Sequence, residues 1–295
     1  MLLDSPLLQL PNTYRAFYGT FPSLHLIQKQ AIGPVLEGRD LVVQSATGSG
    51  KTEAVLAPCL ERIIRSQRTE ALIYIVPTRA LAFDLKRRLE TIVTQRLGLR
   101  LAIRTGDIKR SGGEHPDLML TTPESLDVLL GSSNPDLQGF VSRVRMVIID
   151  EVHLFVHNYR GRQLAYLITR LERRFSRPLQ KMALSATIAD VDSVMGFFGF
   201  RPDTIQCAAS LQRDIVPHLI HLKNEDREFI ALLDDLYDVW KYRKILIFAN
   251  SRGKCDRLFA MVNQEGRFQE VSELHYSNLK TRERRAAERR FRERT

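Results

Sequence analysis

The chain has 295 residues, of which 44% are hydrophobic and 26% are charged, and its formal net charge is +10 at pH 7. No segment approaches the roughly 18 consecutive apolar residues of a membrane span, and the three cysteines, Cys59, Cys207 and Cys255, lie too far apart for a zinc motif or a disulfide framework. These features predict a globular protein of the cytoplasm with room for two hydrophobic cores, and they favour a polyanion over a membrane as its partner.

The first predicted elements in chain order are a strand and a helix joined by a glycine-rich loop. The apolar run 41–44 predicts a buried strand, and residues 51–65 predict a helix with one apolar side. This order of strand, loop and helix is the context that a phosphate-binding loop requires, although the strict pattern has glycine at the position of Ser45. A glycine- and serine-rich turn followed by a surface lysine is the alternative interpretation. The candidate nucleotide-binding residues in the loop are Thr47, Gly48, Ser49, Gly50, Lys51 and Thr52.

The chemistry of these residues suits a nucleoside triphosphate. Gly48 and Gly50 allow backbone N–H groups to converge on phosphate oxygens, and the helix N-terminus adds partial positive charge. Lys51 is expected to meet the β- and γ-phosphates. The hydroxyl of Thr52 is expected to bind Mg²⁺.

Further apolar runs alternate with helical patterns up to residue 200, at 71–76, 99–104, 118–121, 147–149 and 181–185. Alternation of this kind predicts βαβ units and a parallel sheet. The run 147–149 ends in Asp150 and Glu151, so two carboxylates lie at the end of a strand where α/β sheets bind ligands. We expect Asp150 to bind Mg²⁺ and Glu151 to activate the attacking water. The alternative is that the pair caps the next helix.

With both motifs present, the chain resembles a superfamily 2 helicase of the DEVH-box type. The resemblance implies an α/β fold, with a RecA-like P-loop NTPase domain followed by a second RecA-like domain. It also implies ATP and Mg²⁺ as cofactors and a single-stranded nucleic acid as partner. The segment 160–164, RGRQL, is similar to the Lhr-like and Ski2-like branches, which favours DNA over RNA. The segments that resemble the helicase motifs are 45–52 (motif I), 77–81 (Ia), 105–107 (the glycine motif), 121–124 (Ib), 150–153 (II), 185–187 (III), 245–252 (IV) and 275–277 with Leu279.

The resemblance also implies roles for single residues. Gln28 corresponds to the glutamine that recognises adenine, although a lone glutamine is more often a solvated helix residue. Residues expected to couple nucleotide state to domain closure are His153, Ser185 and Thr187, for which a packing histidine and a helix cap are the alternatives. Residues expected to contact the nucleic acid are Arg79, Thr105, Gly106, Thr122 and Pro123.

The predicted domain organisation has four parts. Residues 1–20 form an N-terminal extension near the adenine, residues 21–200 the first RecA-like domain, residues 201–216 a linker and residues 217–295 part of a second RecA-like domain. In that last part we expect strands near 217–222, 244–248 and 271–274, and helices over 226–240, 253–264 and 280–294, the last one basic and solvated.

The function has three open interpretations, because the arginine-bearing motif VI pattern Q-x-x-G-R-x-x-R is absent from the sequence and the second domain is expected to be truncated before motifs V and VI. The leading one is an ATP-dependent helicase motor that is weak or inactive in unwinding as this chain alone. The second is a non-hydrolysing module that binds nucleotide and nucleic acid. The third is one half of a split helicase, completed by a C-terminal fragment or a partner subunit.

Overall fold

The computed structural model describes residues 6–46, 48–105, 115–174, 178–209, 216–222, 225–264, 267–269, 271–276, 279 and 281–293. Of the predicted motif residues, Thr47, Gly106, Asp107 and Ser277 lie outside these ranges. The chain divides into two compact units, Met1–Arg213 and Asp214–Thr295. Across the described ranges, every helix is too short or too polar to cross a membrane.

The centre of the first unit is a parallel sheet. Its strands are β1 Leu41–Ser45, β2 Ala71–Ile75, β3 Leu101–Arg104, β4 Leu118–Thr121, β5 Val144–Ile149, β6 Gln180–Ser185 and β7 Ile205–Ala209. The strand order is β3-β4-β2-β5-β6-β1-β7, and all neighbours are parallel. The six predicted strands are therefore confirmed, and so is the parallel α/β fold.

Helices before and between these strands bury both faces of the sheet. They are α1 Pro6–Gln9, α2 Tyr14–Tyr18, α3 Leu26–Leu36, α4 Lys51–Arg65, α5 Arg79–Glu90, α6 Pro123–Gly131, α7 Pro135–Arg143, α8 Tyr159–Glu172 and α9 Val191–Phe197. Alternate residues of β2 belong to separate cores, Leu72 and Tyr74 to one and Ile73 and Ile75 to the other. Burial on both faces explains why the central strands are almost continuously apolar in sequence.

The N-terminal segment is part of the first core, whereas the sequence predicted an extension over residues 1–20. Leu10 and Tyr18 are fully buried within that core. The buried carboxylate of Glu61, on α4, accepts hydrogen bonds from the backbone N–H of Thr13 at 3.0 Å and from its hydroxyl at 3.1 Å. Arg65 pairs with the same carboxylate at 3.1 Å. Because a buried carboxylate needs such partners, this network fixes the segment to the helix that follows the glycine-rich loop.

Strand β7 lies within the range 201–216 that the sequence predicted as a linker. It pairs in parallel with β1 along the whole of Leu41–Ser45. As an edge strand it has only one neighbour, and only Cys207 among its five residues is buried. Its mixed polarity follows from that position, and so no continuous apolar run marks it in the sequence.

The second unit contains three described helices, α10 Glu225–Asp238, α11 Arg252–Gln264 and α12 Thr281–Glu293, close to those predicted. Phe229, Leu233 and Val262 form its small buried cluster. The strands predicted near 217–222, 244–248 and 271–274 are wrong for this structure, because the described residues there form no strand ladder. A strand is stable only when its backbone groups pair with a neighbour, and an apolar run in sequence does not supply that neighbour.

Candidate nucleotide and nucleic-acid site

The candidate site residues lie at the carboxyl edge of the parallel sheet, where the strand order separates them into two groups. The segments resembling motifs I, II and III follow β1, β5 and β6, which lie in one half of the sheet. The segments resembling motif Ia, the glycine motif and motif Ib follow β2, β3 and β4, in the other half. One half therefore brings together the residues expected to bind nucleotide, and the other half brings together those expected to bind nucleic acid.

The glycine-rich loop has the backbone conformation that its glycines permit. Gly48 has φ of 77° and Gly50 has φ of 80°, both in the left-handed region that disfavours residues with a Cβ atom. Gly50 immediately precedes α4, so the helix begins at Lys51 with its first N–H groups facing the loop. This geometry suits an anion at the helix N-terminus.

Two polar side chains of the loop, Lys51 and Ser49, are buried. Lys51 is 6% exposed, and its Nζ donates a 2.9 Å hydrogen bond to the carbonyl oxygen of Ser45. The hydroxyl of Ser49 has no hydrogen-bond partner among the described residues. Both groups are hydrogen-bond donors that can turn toward phosphate oxygens. Within the described ranges, the hydroxyl of Ser49 has a free donor, and the ammonium of Lys51 is held only on a loop carbonyl.

A cavity of about 300 Å³ opens between this loop, the start of α3 and the end of β7. Beside it, Gln28 is 6% exposed, and its Oε1 accepts a 2.9 Å hydrogen bond from the backbone N–H of His25. Its side-chain nitrogen lies against Gly50, where any side chain would collide with it. Gln28 is thus held next to the loop. The cavity is lined by His25, Leu26, Ile27, Ser45, Ser49, Ala208 and Ala209.

One of the two residues expected to bind Mg²⁺ is held by a buried hydroxyl. Tyr74, on β2, donates a 2.9 Å hydrogen bond to Oδ2 of Asp150. Burial raises the pKa of Asp150, and the hydrogen bond from Tyr74 opposes that rise. Burial also raises the pKa of Tyr74 well above its usual value, so its hydroxyl keeps the proton that it donates.

The residues after β5 and β6 form a second polar cluster. Glu151 has φ of 50°, a left-handed conformation that is uncommon outside glycine and is often found at functional sites. Nδ1 of His153 lies 2.7 Å from the hydroxyl of Ser185 and 3.5 Å from Oε2 of Glu151. The Ser185 hydroxyl donates to the carbonyl oxygen of Thr187 at 2.7 Å, so Nδ1 of His153 is the donor toward Ser185. Segments 150–153 and 185–187 are therefore directly connected.

In the other half of the edge, the described candidate residues follow three adjacent strands. Arg79 begins α5 with an exposed side chain, while Thr105 is 1% exposed and its hydroxyl has no hydrogen-bond partner within the part of the chain that the structure describes. Thr122 precedes α6, with its hydroxyl 3.3 Å from that of Ser125, and Pro123 is the first residue of that helix. Two helix N-termini, of α5 and α6, therefore begin at this side of the edge.

Comparison with known proteins identifies the family. A sequence model of the DEAD/DEAH box helicases matches residues 25–194, which is more than half of the chain and contains both carboxyl-edge groups. The chain belongs to the DEAD/DEAH box helicase family. The resemblance to its Lhr-like branch is also confirmed, since curated relatives of the chain carry that name.

Two of these relatives show how much of a longer helicase the chain represents. It is 32% identical over 267 residues to the Lhr helicase/probable uracil glycosylase of Mycolicibacterium smegmatis, covering 80% of the chain and 17% of that protein. It is 28% identical over 304 residues to the ATP-dependent helicase Lhr-Core protein 2 of Thermococcus barophilus, covering 90% of the chain and 34% of that protein. The chain thus spans about a third or less of these curated helicases.

Solved helicase structures match the fold. Mycobacterium smegmatis helicase Lhr, bound to ssDNA and AMP-PNP, is 27% identical with a TM-score of 0.74, over 94% of this chain and 39% of that one. The DEAD-box helicase Mss116, bound to ssRNA and UDP-BeF, is 18% identical with a TM-score of 0.75, over 96% of this chain and 61% of that one. At 18% identity the second match supports the fold alone.

Tyr74 is a residue of this candidate site that the sequence analysis does not identify. It lies in the strand Ala71–Ile75, where the apolar run conceals it. A signal was present, because a tyrosine in a strand buried on both faces must find a partner for its hydroxyl. The sequence could not identify that partner, since it lies on other segments of the chain.

Proposed function

We propose that the chain is the nucleotide-binding part of an ATP-dependent helicase or translocase motor that binds ATP with Mg²⁺ and holds a single nucleic-acid strand. The observation that carries this proposal is a loop with Gly48 and Gly50 at positive φ and a buried Lys51, in the same half of the sheet edge as Asp150. Two potential metal ligands from separate motifs, Thr52 after β1 and Asp150 after β5, lie in that half of the edge. This combination favours phosphoryl chemistry over a structural turn.

The residues present fit Mg²⁺ that enters with a nucleotide. Among the described residues, no group of three or more His, Cys, Asp or Glu side chains could hold a metal by itself. Mg²⁺ in nucleotide sites uses one or two protein oxygen ligands together with phosphates, and Thr52 and Asp150 supply such oxygens. When bound, Mg²⁺ would neutralise developing negative charge on the phosphates.

We propose the remaining roles from the resemblance to helicase motifs, with the contacts of these residues as support. Lys51 would exchange the carbonyl of Ser45 for phosphate oxygens, a stronger charge-assisted contact. Glu151 would orient and deprotonate the attacking water. The contact between His153 and Ser185 would transmit the state of the nucleotide from motif II to motif III. Gln28, beside the loop, would read the adenine.

For the strand we propose sequence-independent contacts to phosphate and sugar. Support comes from helix N-termini, threonine hydroxyls and Arg79 at one side of the sheet edge, all suited to backbone contacts that carry no base specificity. Single-stranded DNA is favoured over RNA, because the Lhr structure that resembles this chain is bound to ssDNA. Binding should weaken steeply with salt.

For hydrolysis we propose that the chain alone is slow. Its 295 residues contain no Q-x-x-G-R-x-x-R pattern, and an arginine at the phosphates is worth about 10³–10⁵ in rate. A phosphate-release assay with and without single-stranded DNA tests this directly. Fluorescent nucleotide binding without measurable turnover supports the proposal, and brisk strand-stimulated turnover contradicts it.

The non-hydrolysing module and the split helicase remain the alternatives. Phosphate release that appears only when a C-terminal helicase fragment is added supports the split arrangement. Nucleotide and strand binding with no turnover under either condition supports the binding module. Absence of nucleotide binding by the wild-type chain contradicts all three interpretations.

A further inference from the structure

Arg160, near the start of α8, contacts three segments that the proposed function uses. Its Nε donates a 2.7 Å hydrogen bond to Oε1 of Glu124, and its Nη2 donates a 2.8 Å hydrogen bond to the carbonyl oxygen of Pro77. Its guanidinium carbon lies 5.7 Å from the ring centroid of Phe155. Pro77 opens motif Ia, Glu124 ends motif Ib and Phe155 shortly follows motif II. One side chain therefore bridges both strand-binding motifs and the segment after the catalytic carboxylates.

The backbone beneath Arg160 is fixed to the same segment. Gly161 packs so tightly that a methyl group there would overlap the carbonyl oxygen of Phe155. The side chain of Asn158 caps the helix by accepting a 2.9 Å hydrogen bond from the N–H of Gly161. The first turn of α8 and the segment after motif II therefore form one packed unit, so a shift of that segment would move Arg160 with it.

The Arg160–Glu124 ion pair fixes the relative positions of its two segments more than it adds to the free energy of unfolding. The two side chains are 42% and 53% exposed, and ion pairs this exposed add little to the free energy of unfolding. A guanidinium, however, presents several N–H groups in a rigid plane and can bind two acceptors in fixed directions at once. A lysine has the same charge but lacks this planar arrangement of N–H donors.

We propose that Arg160 is a positioning residue that holds motifs Ia and Ib in a fixed relation to each other and to motif II. The inference rests on the proposed function, because those motifs are the proposed strand contacts. It gives the RGRQL segment a physical role in addition to marking the Lhr-like branch. Arg160 acts through Pro77 and Glu124 and needs no contact with the strand itself.

The test compares Arg160→Ala, Arg160→Lys and Glu124→Gln with Arg162→Ala, an exposed arginine on the same helix. Hydrogen–deuterium exchange is measured over 77–82 and 122–126, together with affinity for a fluorescent oligo-dT and for a fluorescent ATP analogue. Both Arg160 variants should raise exchange in the two segments and weaken oligo-dT binding about tenfold, the effect of losing a charge-assisted hydrogen bond, at unchanged nucleotide affinity. The double variant of Arg160→Ala and Glu124→Gln should bind oligo-dT about as weakly as Arg160→Ala alone, because the two residues act through one contact.

Two results would overturn the inference. One is unchanged exchange in both segments of Arg160→Ala, which would show that the contacts do not hold the motifs in place. The other is wild-type oligo-dT affinity in Arg160→Lys, which would show that charge alone suffices. Failure of the wild-type chain to bind oligo-dT would count against the proposed function instead, and the exchange measurement would still decide the positioning role.

Discussion

The hydroxyl of Tyr74 donates a 2.9 Å hydrogen bond to Oδ2 of Asp150. Tyr74 is on β2, the strand that leads into motif Ia, whereas Asp150 belongs to motif II. The tyrosine therefore connects a proposed metal ligand to a strand that ends in the proposed nucleic-acid half of the sheet edge.

Replacing Tyr74 by Phe should weaken binding of the Mg²⁺–nucleotide complex several-fold, because the carboxylate of Asp150 loses the hydrogen bond that fixes its position. Binding of nucleotide in EDTA should be unchanged. The lost hydrogen bond should lower the free energy of unfolding by about 1 kcal/mol. Fluorescent AMP-PNP titrations with Mg²⁺ and with EDTA measure the first two effects, and Mn²⁺ electron paramagnetic resonance reports metal binding independently of turnover.

The matched control is Tyr18→Phe. Tyr18 is also buried, and its hydroxyl donates a 2.7 Å hydrogen bond to the carbonyl oxygen of Glu53. Tyr18→Phe should lower the free energy of unfolding by a similar amount, with no metal-dependent change in nucleotide affinity. Equal behaviour of the two variants would mean that Tyr74 only stabilises the core.

Lys51→Ala should lower nucleotide affinity by about tenfold or more, since the loop loses its proposed charge-assisted contact to phosphate. The side chain is 6% exposed and is held on the carbonyl of Ser45, so it is already aimed into the loop. Equilibrium titration with a fluorescent ATP analogue measures the loss. Lys86→Ala, which removes a lysine paired with Glu90 on α5, is the control and should bind normally. Normal binding by Lys51→Ala would rule out this loop as the phosphate site.

The sequence predicted the central strands because their burial on both faces leaves a simple apolar pattern. It could not predict the strand order, which depends on contacts between distant segments, and so the separation of the edge into two halves required the structure. It missed β7 because an edge strand such as Ile205–Ala209 is half exposed and mixed in polarity. It overpredicted strands in the second unit, where the apolar run 244–248 forms no ladder and Phe248 is 89% exposed.

The candidate site shows the same difference between local and remote information. Motif and spacing predict where Lys51 and Asp150 lie, at the start of α4 and after β5, and their roles stay predictions. Tyr74 and Arg160 act through partners that are remote in sequence, and no local pattern identifies those partners. Such bridging residues become visible only when the packing is known.

Gln28→Ala should reduce the preference for ATP over GTP, because the amide proposed to pair with the adenine edge is lost while the proposed phosphate contacts remain. Competition of ATP and GTP against a fluorescent analogue measures the preference. A loss of about 1 kcal/mol in stability should accompany it, since Gln28 also accepts a hydrogen bond from the N–H of His25. Gln30→Ala, at an exposed position of the same helix, is the control. Unchanged discrimination in Gln28→Ala would assign base recognition to other residues.

Ser185→Ala should leave nucleotide affinity near its wild-type value but abolish the effect of nucleotide on strand affinity. The substitution removes the hydroxyl that joins His153 to Thr187, and coupling between two sites requires such a physical connection. Fluorescence anisotropy of oligo-dT with and without AMP-PNP gives the coupling factor. Ser142→Ala removes a hydroxyl bonded to the carbonyl of Gly139 far from this cluster, and it should retain wild-type coupling. Wild-type coupling in Ser185→Ala would exclude the hydroxyl from this role.

Gly161→Ala should destabilise the first unit by about 3 kcal/mol or more, because a methyl group there overlaps the carbonyl oxygen of Phe155 and backbone cannot move aside cheaply. Gly33, inside α3, has nothing near its missing Cβ, so Gly33→Ala should stabilise the protein by up to about 1 kcal/mol through helix propensity. Urea unfolding followed by circular dichroism gives both values. The two glycine-to-alanine changes should therefore have opposite signs, and a mild effect at Gly161 would show that α8 can separate from the segment after motif II.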